Sequence, residues 1–380
     1  MTVARDRRSA SSPAALLGLV LAACAGAPRA EVDEGPMQSG RAVAEALEEL
    51  PGVVITGRHF AFAGVLRVTV AAPDSDRASG ALSAGFAVAD SVEKLLNPQS
   101  PESEVSMINA AAGRESVRMS PWTEAMIVAA LEWAERTGGA FDPTVGPLIT
   151  AWGFGGDEIA VPSDTRLEAA RRLVGWSKVQ LDRSAHTVFL TEAGMELDLR
   201  AMAKGFALDR MREAMVTAGA TSGIADYDGD LMFFGPGTGS SDDRWTIDVL
   251  DPYDPTRSFA LLELPPGGFS TSVYYDRAVE IEGERIGHLI DPRTGYPARG
   301  LASVSVFATQ GVVNDVLDTA FFVMGVEEGR RLAENLHDVE AIFVVDAEPG
   351  ETSRVVTSPG LGRYVKKLHP PRRPLETEER

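Results

Sequence analysis

The chain is poor in the residues that build cross-links: its 380 residues include one cysteine and five histidines. One cysteine excludes an internal disulfide framework and any cysteine-rich zinc site. His59, His186, His288, His337 and His369 are too scattered to form a local His-rich metal site. Basic charge is also scarce, with 36 Lys+Arg against 55 Asp+Glu and a net charge of -19. Binding to a phosphate backbone needs a basic footprint, so nucleic acid is not an expected partner. The common nucleotide and hydrolase signatures are missing. There is no G-x-x-x-x-G-K-[ST] loop, and Gly235-Pro236-Gly237-Thr238-Gly239-Ser240 departs from G-x-G-x-x-G at its last residue. Neither H-E-x-x-H nor G-x-S-x-G occurs. What remains is ordinary: 44% hydrophobic and 24% charged residues exclude wholesale disorder.

Long apolar runs are absent as well. The one clear run, Ala14 to Ala23, has ten residues and follows Arg5, Arg7 and Arg8. As a helix it would rise about 15 Å, half of the ~30 Å that a membrane span needs. A basic start before a short apolar run reads as an export signal over 1–24. Leu21-Ala22-Ala23-Cys24 resembles a bacterial lipobox, in which the cysteine carries lipid. The alternative is a small core cysteine. The expectation is an exported protein, lipid-anchored through Cys24 to a bacterial membrane. Residues 25–52 then form a flexible tether.

The folded part is expected over 53–365. Val65 to Val70 alternates as a strand does. Leu82, Phe86, Ala89, Val92 and Leu96 repeat at helical spacing and predict a helix over 76–96. Ser120 and Pro121 open another helix, with Glu124 in its first turn and Gly138 as its stop. Met195–Leu199 is expected to be a strand, and Lys204–Ala218 a helix with Leu208, Met211 and Met215 on one face. Val304–Phe307 and Ala341–Val345 read as strands. Asn314–Met324 reads as a helix capped by Asn314 and closed by Gly325. Residues 366–380 are polar and proline-rich and are expected to be a disordered tail. Strands and helices mix without strict alternation, which favours an α+β fold.

Four segments place polar residues and glycines inside apolar sequence. Gly138-Gly139-Ala140-Phe141-Asp142-Pro143-Thr144-Val145-Gly146-Pro147-Leu148 is dense enough in Gly and Pro to form a fixed loop. Its backbone could approach a ligand, or it could be a structural turn. In Leu197-Asp198-Leu199-Arg200-Ala201-Met202-Ala203-Lys204-Gly205, Lys204 falls at the expected helix start. A cation is disfavoured there unless an anion joins it, so Lys204 is either a solvated lysine or a phosphate ligand. In Gly287-His288-Leu289-Ile290-Asp291-Pro292-Arg293-Thr294-Gly295-Tyr296-Pro297, His288 is either a structural histidine or a base near neutral pH. In Asn314-Asp315-Val316-Leu317-Asp318-Thr319, Asp315 and Thr319 share a helix face and Asp318 lies close. Their oxygens suit a hard cation such as Mg²⁺; the plain alternative is acids favoured by the helix dipole.

Taken in order, these segments resemble the ApbE family of FAD:protein FMN transferases. Ser103-Glu104-Val105-Ser106-Met107-Ile108-Asn109 matches the family's S-E-V-S-x-I-N element. The G-A-F-D-P-T-V-G-P-L, A-K-G-x-A-x-D, H-x-I-D-P-R-T-G-x-P and D-x-x-x-T elements follow in sequence. The resemblance runs from about Val53 to about Tyr364. It implies an ApbE-like α+β fold with a flavin cleft. It also implies Mg²⁺-dependent transfer of FMN from FAD to a threonine or serine of an acceptor protein, with release of AMP. The acceptor is expected to be an exported or membrane redox protein.

By motif position, Mg²⁺ would meet Asp315, Asp318, Thr319 and the backbone carbonyl of Ala201. FAD would contact Gln99, Ala140, Phe141, Asp142, Asp198 and Lys204. His288 would be the base for the acceptor hydroxyl. Three glycines of the family pattern are Arg200, Asp228 and Val273 here. A β-branched residue would be strained at positive φ. A non-catalytic flavin-binding lipoprotein is therefore kept as an alternative, and so is a FAD pyrophosphatase, which differs from the transferase only in its nucleophile.

Overall fold

The computed structural model describes residues 52–98, 100–154, 159–237, 244–275, 278–281 and 284–375. Cys24, the expected export signal and Gln99 lie outside them, as does all of the expected tether except Gly52.

The chain opens with a hairpin of β1 (Val53–Ala61) and β2 (Gly64–Ala72), then α1 (Ser75–Leu96) and α2 (Glu104–Ala110). Next come β3 (Val117–Arg118), α3 (Pro121–Arg136), α4 (Gly146–Trp152) and α5 (Asp164–Leu173). After β4 (Val179–Asp182) and β5 (Thr187–Leu190) runs the long α6 (Arg200–Thr217). Five strands follow: β6 (Ser222–Tyr227), β7 (Asp230–Phe234), β8 (Trp245–Asp251), β9 (Asp254–Leu264) and β10 (Gly267–Val273). A short hairpin pairs β11 (Val279–Ile281) with β12 (Glu284–Ile286). The chain then forms β13 (Leu301–Ala308), α7 (Gly311–Glu334), β14 (Val339–Val345), β15 (Val355–Thr357) and β16 (Val365–Leu368).

Eight strands form one sheet in the order β1-β2-β6-β7-β10-β13-β14-β15, and every neighbouring pair is antiparallel. Helices α1, α6 and α7 cover one face. A second sheet, β16-β9-β8, covers part of the other. Alternation along β14 shows the two cores. Ala341 and Phe343 join the helical core, while Ile342 and Val344 join the core between the sheets. This is an α+β architecture. No described helix is long and apolar enough to cross a membrane.

The elements with a strong local signal form as expected: α1, α3 with its Ser120 cap and Pro121, and strands at 65–70, 304–307 and 341–345. Four expectations are corrected. Met195–Leu199 is not a strand, because its backbone is held by other groups. The Asn109 amide pairs with both backbone groups of Leu197, and the Asp198 N–H donates to the Pro143 carbonyl at 2.7 Å. Helix α6 begins at Arg200, so Lys204 lies a turn inside it. The good helix formers Arg-Ala-Met-Ala extend the helix, and the Asp198 carboxylate accepts the Arg200 N–H at 3.0 Å. Helix α7 begins at Gly311, so Asn314 is not its cap; the break at Gly325 (φ 75, ψ -179) does fall where expected. Residues 366–368 belong to β16, which pairs with β9, and Thr352 bridges to Arg372, so the expected tail is structured through this stretch.

Candidate active site

Helices α6 and α7 cross at a point where neither carries a side chain. A Cβ on Gly205 would lie 2.1 Å from the carbonyl oxygen of Gly311 and 2.8 Å from Cβ of Asp315. The backbones therefore meet directly. Around this crossing, carboxylate oxygens of Asp230, Asp315 and Asp318 all come within 4.8 Å of one another, and all three residues are buried. Asp230 starts β7, whereas Asp315 and Asp318 project from α7. Lys204 forms an ion pair with Asp230, and its ammonium lies 5.7 Å from the centre of the Tyr227 ring. The Gly205 N–H donates to Oδ2 of Asp315 at 2.8 Å. Thr319 Oγ1 donates to Oδ1 of Asp318 at 3.2 Å. Ala201 is half-buried in the first turn of α6.

The electrostatics follow from the crowding. Burial raises the Asp315 carboxyl above the usual range; Asp230 adds to this, and Lys204 and the Gly205 N–H oppose it. Burial raises Asp318 too, reinforced by Asp315 and Asp230. For Lys204 burial disfavours the charge, but Asp230, Asp315 and Asp318 outweigh it and hold the ammonium protonated. Three carboxylates against one ammonium leave the cluster formally two charges short of balance. The donors are all oxygen, and their spacing is close to the ~4 Å across a six-coordinate Mg²⁺ site. The donor set therefore fits a hard divalent cation.

The other candidate residues lie on the loop after α3, on the segment before α6 and after β12. Ala140 and Phe141 are buried on the loop after α3, and Phe141 packs in the helical core. Gly138 and Gly139 turn that loop with φ of 60 and 80. The Asp142 carboxylate is engaged within the fold: Oδ1 accepts from Thr144 N (2.8 Å) and Oγ1 (2.6 Å), and Oδ2 from Trp176 N (3.0 Å). Its pKa is raised by burial. The loop adjoins Asp198 through the Pro143 carbonyl, and Asp198 is paired with Arg200, Nε to Oδ1 at 3.0 Å. His288 is half-buried between β12 and Ile290. Next to it, Gly287 lies against the Tyr274 ring, which stacks parallel to Phe322 of α7 at 6.4 Å between centroids. Trp152 Nε1 donates to the Gly295 carbonyl at 2.8 Å, tying the His288 segment to α4. The loop after α3 thus adjoins the segment that leads into α6, and the His288 segment adjoins α7 through Tyr274 and Phe322.

A family model described as the ApbE family matches residues 64–343. The chain belongs to the ApbE family. The FAD:protein FMN transferase of Treponema pallidum (strain Nichols) is 32% identical over 293 residues, covering 72% of this chain and 81% of that protein. That of Klebsiella pneumoniae (strain 342) is 34% identical over 254 residues, 66% and 78% of the two chains. Among solved structures, the ApbE protein of Thermotoga maritima superposes with a TM-score of 0.75 at 30% identity, covering 83% of this chain and all of the other. The flavinyl transferase ApbE of Pseudomonas stutzeri gives 0.72 at 26% identity, covering 82% and 96%.

The three departures from the family's glycines have different consequences. Arg200 opens α6 and Val273 ends β10, neither with positive φ, so neither backbone is strained. Asp228 does have positive φ (50). It forms with Gly229 (φ 92) the two-residue turn that joins β6 to β7, a hairpin geometry in which Asp-Gly is favoured. Sequence reasoning missed Asp230 as a member of the cluster. Its signal was present in the Asp226–Asp230 run, but only the pairing of β7 with β10 brings it to α7. Asp209, the last residue of the A-K-G-x-A-x-D element, also went without a role.

Proposed function

We propose that this chain transfers FMN from FAD to a serine or threonine hydroxyl of an acceptor protein and releases AMP. The observation that carries this reading is the buried Asp230–Asp315–Asp318 cluster with Lys204, at the α6–α7 crossing of an ApbE-family fold. Asp315, Asp318 and Asp230, with Thr319 and the Ala201 carbonyl, would hold Mg²⁺. The Gly205 N–H would ordinarily close a helix bond to that carbonyl, and its donation to Asp315 competes with it. A bound Mg²⁺ would supply positive charge against the pyrophosphate oxygens.

The chain's own groups do the rest. Lys204, whose ammonium pairs with Asp230 beside the cluster, would meet a phosphate oxygen. The loop at Ala140 and Phe141, held by Thr137 and Asp142, would contact the flavin; the Asp198–Arg200 pair would line its edge. His288 would take the proton from the acceptor hydroxyl as its oxygen bonds to the FMN phosphorus and the bond to the AMP oxygen breaks. Positioning supplies most of the rate in such a transfer. Lipid on Cys24 would tether the domain to a membrane, where an exported or membrane redox protein would be the acceptor.

The test uses the chain without its first 24 residues, FAD, Mg²⁺ and an acceptor domain that can be flavinylated. In-gel flavin fluorescence of the acceptor with equimolar AMP is the expected result. AMP without labelling would favour the pyrophosphatase reading, and tight FAD binding without AMP would favour a non-catalytic binder. Asp315→Asn should abolish both signals; full turnover by that variant would refute the cation assignment.

A further inference from the structure

Helix α7 carries two members of the acidic cluster, yet its own N-cap residue does not cap it. Gln310 makes no side-chain hydrogen bond to the first turn. The cap comes from another helix. Oδ1 of Asp209 accepts the Gly311 N–H at 2.9 Å, and Oδ2 accepts the Val312 N–H at 2.9 Å. Asp209 is buried in α6, four residues beyond Gly205. Arg212 completes the clamp: its guanidinium lies 3.8 Å from Oδ1 of Asp209 and donates to the Thr309 carbonyl at 3.2 Å, just before α7.

These bonds form a two-rung ladder between the helices. Gly205 bonds to Asp315 on one rung and Asp209 to Gly311 on the other, so the helices run antiparallel with a four-residue step on each. The bare contact between Gly205 and Gly311 leaves no side chain to absorb a slip. Sliding α7 along its axis would break the Asp209 cap and carry Asp315 and Asp318 away from Lys204 and Asp230. A buried carboxylate is costly to keep, and burial raises the pKa of Asp209. Two short-range N–H donors and a helix N-terminus are what offset that cost.

We propose that Asp209 is a positioning residue: it caps α7 from α6, sets the axial register of the two helices, and so places Asp315 and Asp318 against Lys204 and Asp230. This deepens the proposed function and rests on it only for the cation.

The experiment compares the full folded domain with Asp209→Ala and Asp209→Asn. Asp346→Asn serves as a structural control, in the separate network of Tyr253, Tyr275 and Arg373. Two readouts are taken: exchange of the Gly205 amide by hydrogen–deuterium NMR, and Mg²⁺ affinity by calorimetry. Asp209→Ala should speed Gly205 exchange selectively and weaken Mg²⁺ binding about tenfold, as loss of an outer support commonly does. Asp209→Asn, which keeps one acceptor, should fall between this variant and the wild type. Asp346→Asn should move neither readout selectively. A folded Asp209→Ala protein with wild-type Gly205 protection and wild-type Mg²⁺ affinity overturns the proposal. If that variant does not fold, wild-type protection in Asp209→Asn overturns it. A wild type that binds no Mg²⁺ would instead count against the proposed function, and Gly205 exchange would still decide the role of Asp209.

Discussion

Replacing Gly205 by alanine adds one methyl group at the least forgiving point of the site. The new Cβ would stand 2.1 Å from the Gly311 oxygen, 2.5 Å from the Gly311 carbonyl carbon and 2.8 Å from Asp315 Cβ. Two of those atoms are backbone, so no side chain can rotate aside and the helices must move apart. Overpacking of this kind costs about 1–3 kcal/mol. Separation also weakens the 2.8 Å bond from the Gly205 N–H to Asp315, a bond to a charged group worth about 1.5–3 kcal/mol. Better helix propensity returns about 1 kcal/mol. The net expectation is a loss of about 1.5–5 kcal/mol, a large share of the ~5–15 kcal/mol of a typical domain.

Gly80→Ala is the matched control. Gly80 lies exposed inside α1 with nothing within 4 Å of an added Cβ, so there the same substitution should stabilise by about 0.5–1 kcal/mol. Urea unfolding followed by circular dichroism measures both, and titration with Mg²⁺ reports the site. The reasoning fails if Gly205→Ala unfolds at the wild-type midpoint and binds Mg²⁺ as the wild type does, or if the two substitutions shift stability in the same direction.

Stability should also depend on pH with a definite sign. Burial pushes the Asp226 carboxyl up to about 6 and raises Asp315 and Asp318 as well. Folded-state values above the unfolded value of about 4 stabilise the fold at low pH, and that contribution is lost as pH rises through about 6 and beyond. In EDTA, melting temperature should therefore fall from pH 5 to pH 8, and Asp226→Asn should flatten the fall. Mg²⁺ should raise it more at pH 8 than at pH 5, and an equal gain would contradict the site's electrostatics. Deleting 369–380 removes the Arg373–Asp346 pair, the Ser353 N–H bond to Pro371 and the His369 N–H bond to Phe259. Melting temperature should drop, and an unchanged value would show that these contacts contribute nothing.

The legible and illegible parts of the sequence divide by the range of the interactions that made them. Ser120, Pro121 and the 76–96 periodicity act within a few residues, so α1 and α3 could be read directly. The start of α7 could not, because its cap is Asp209, 102 residues before Gly311. Nor could the fate of Met195–Leu199, whose backbone partner at Leu197 is the side chain of Asn109, 88 residues away. The 366–368 segment looked like tail because its charge hides a strand that needs β9 as partner. At the site, Asp315, Asp318, Thr319 and Lys204 stood out as polar residues in apolar sequence. Asp230 did not, since its place beside them depends on strand order.

By itself the sequence determined the motif inventory, the α+β class and the helices and strands whose signals are local. Tertiary structure alone decided which carboxylates share one buried volume, which lysine answers them and which distant aspartate holds their helix in register. Charge and hydrogen bonding act through space, and only the folded chain sets those distances.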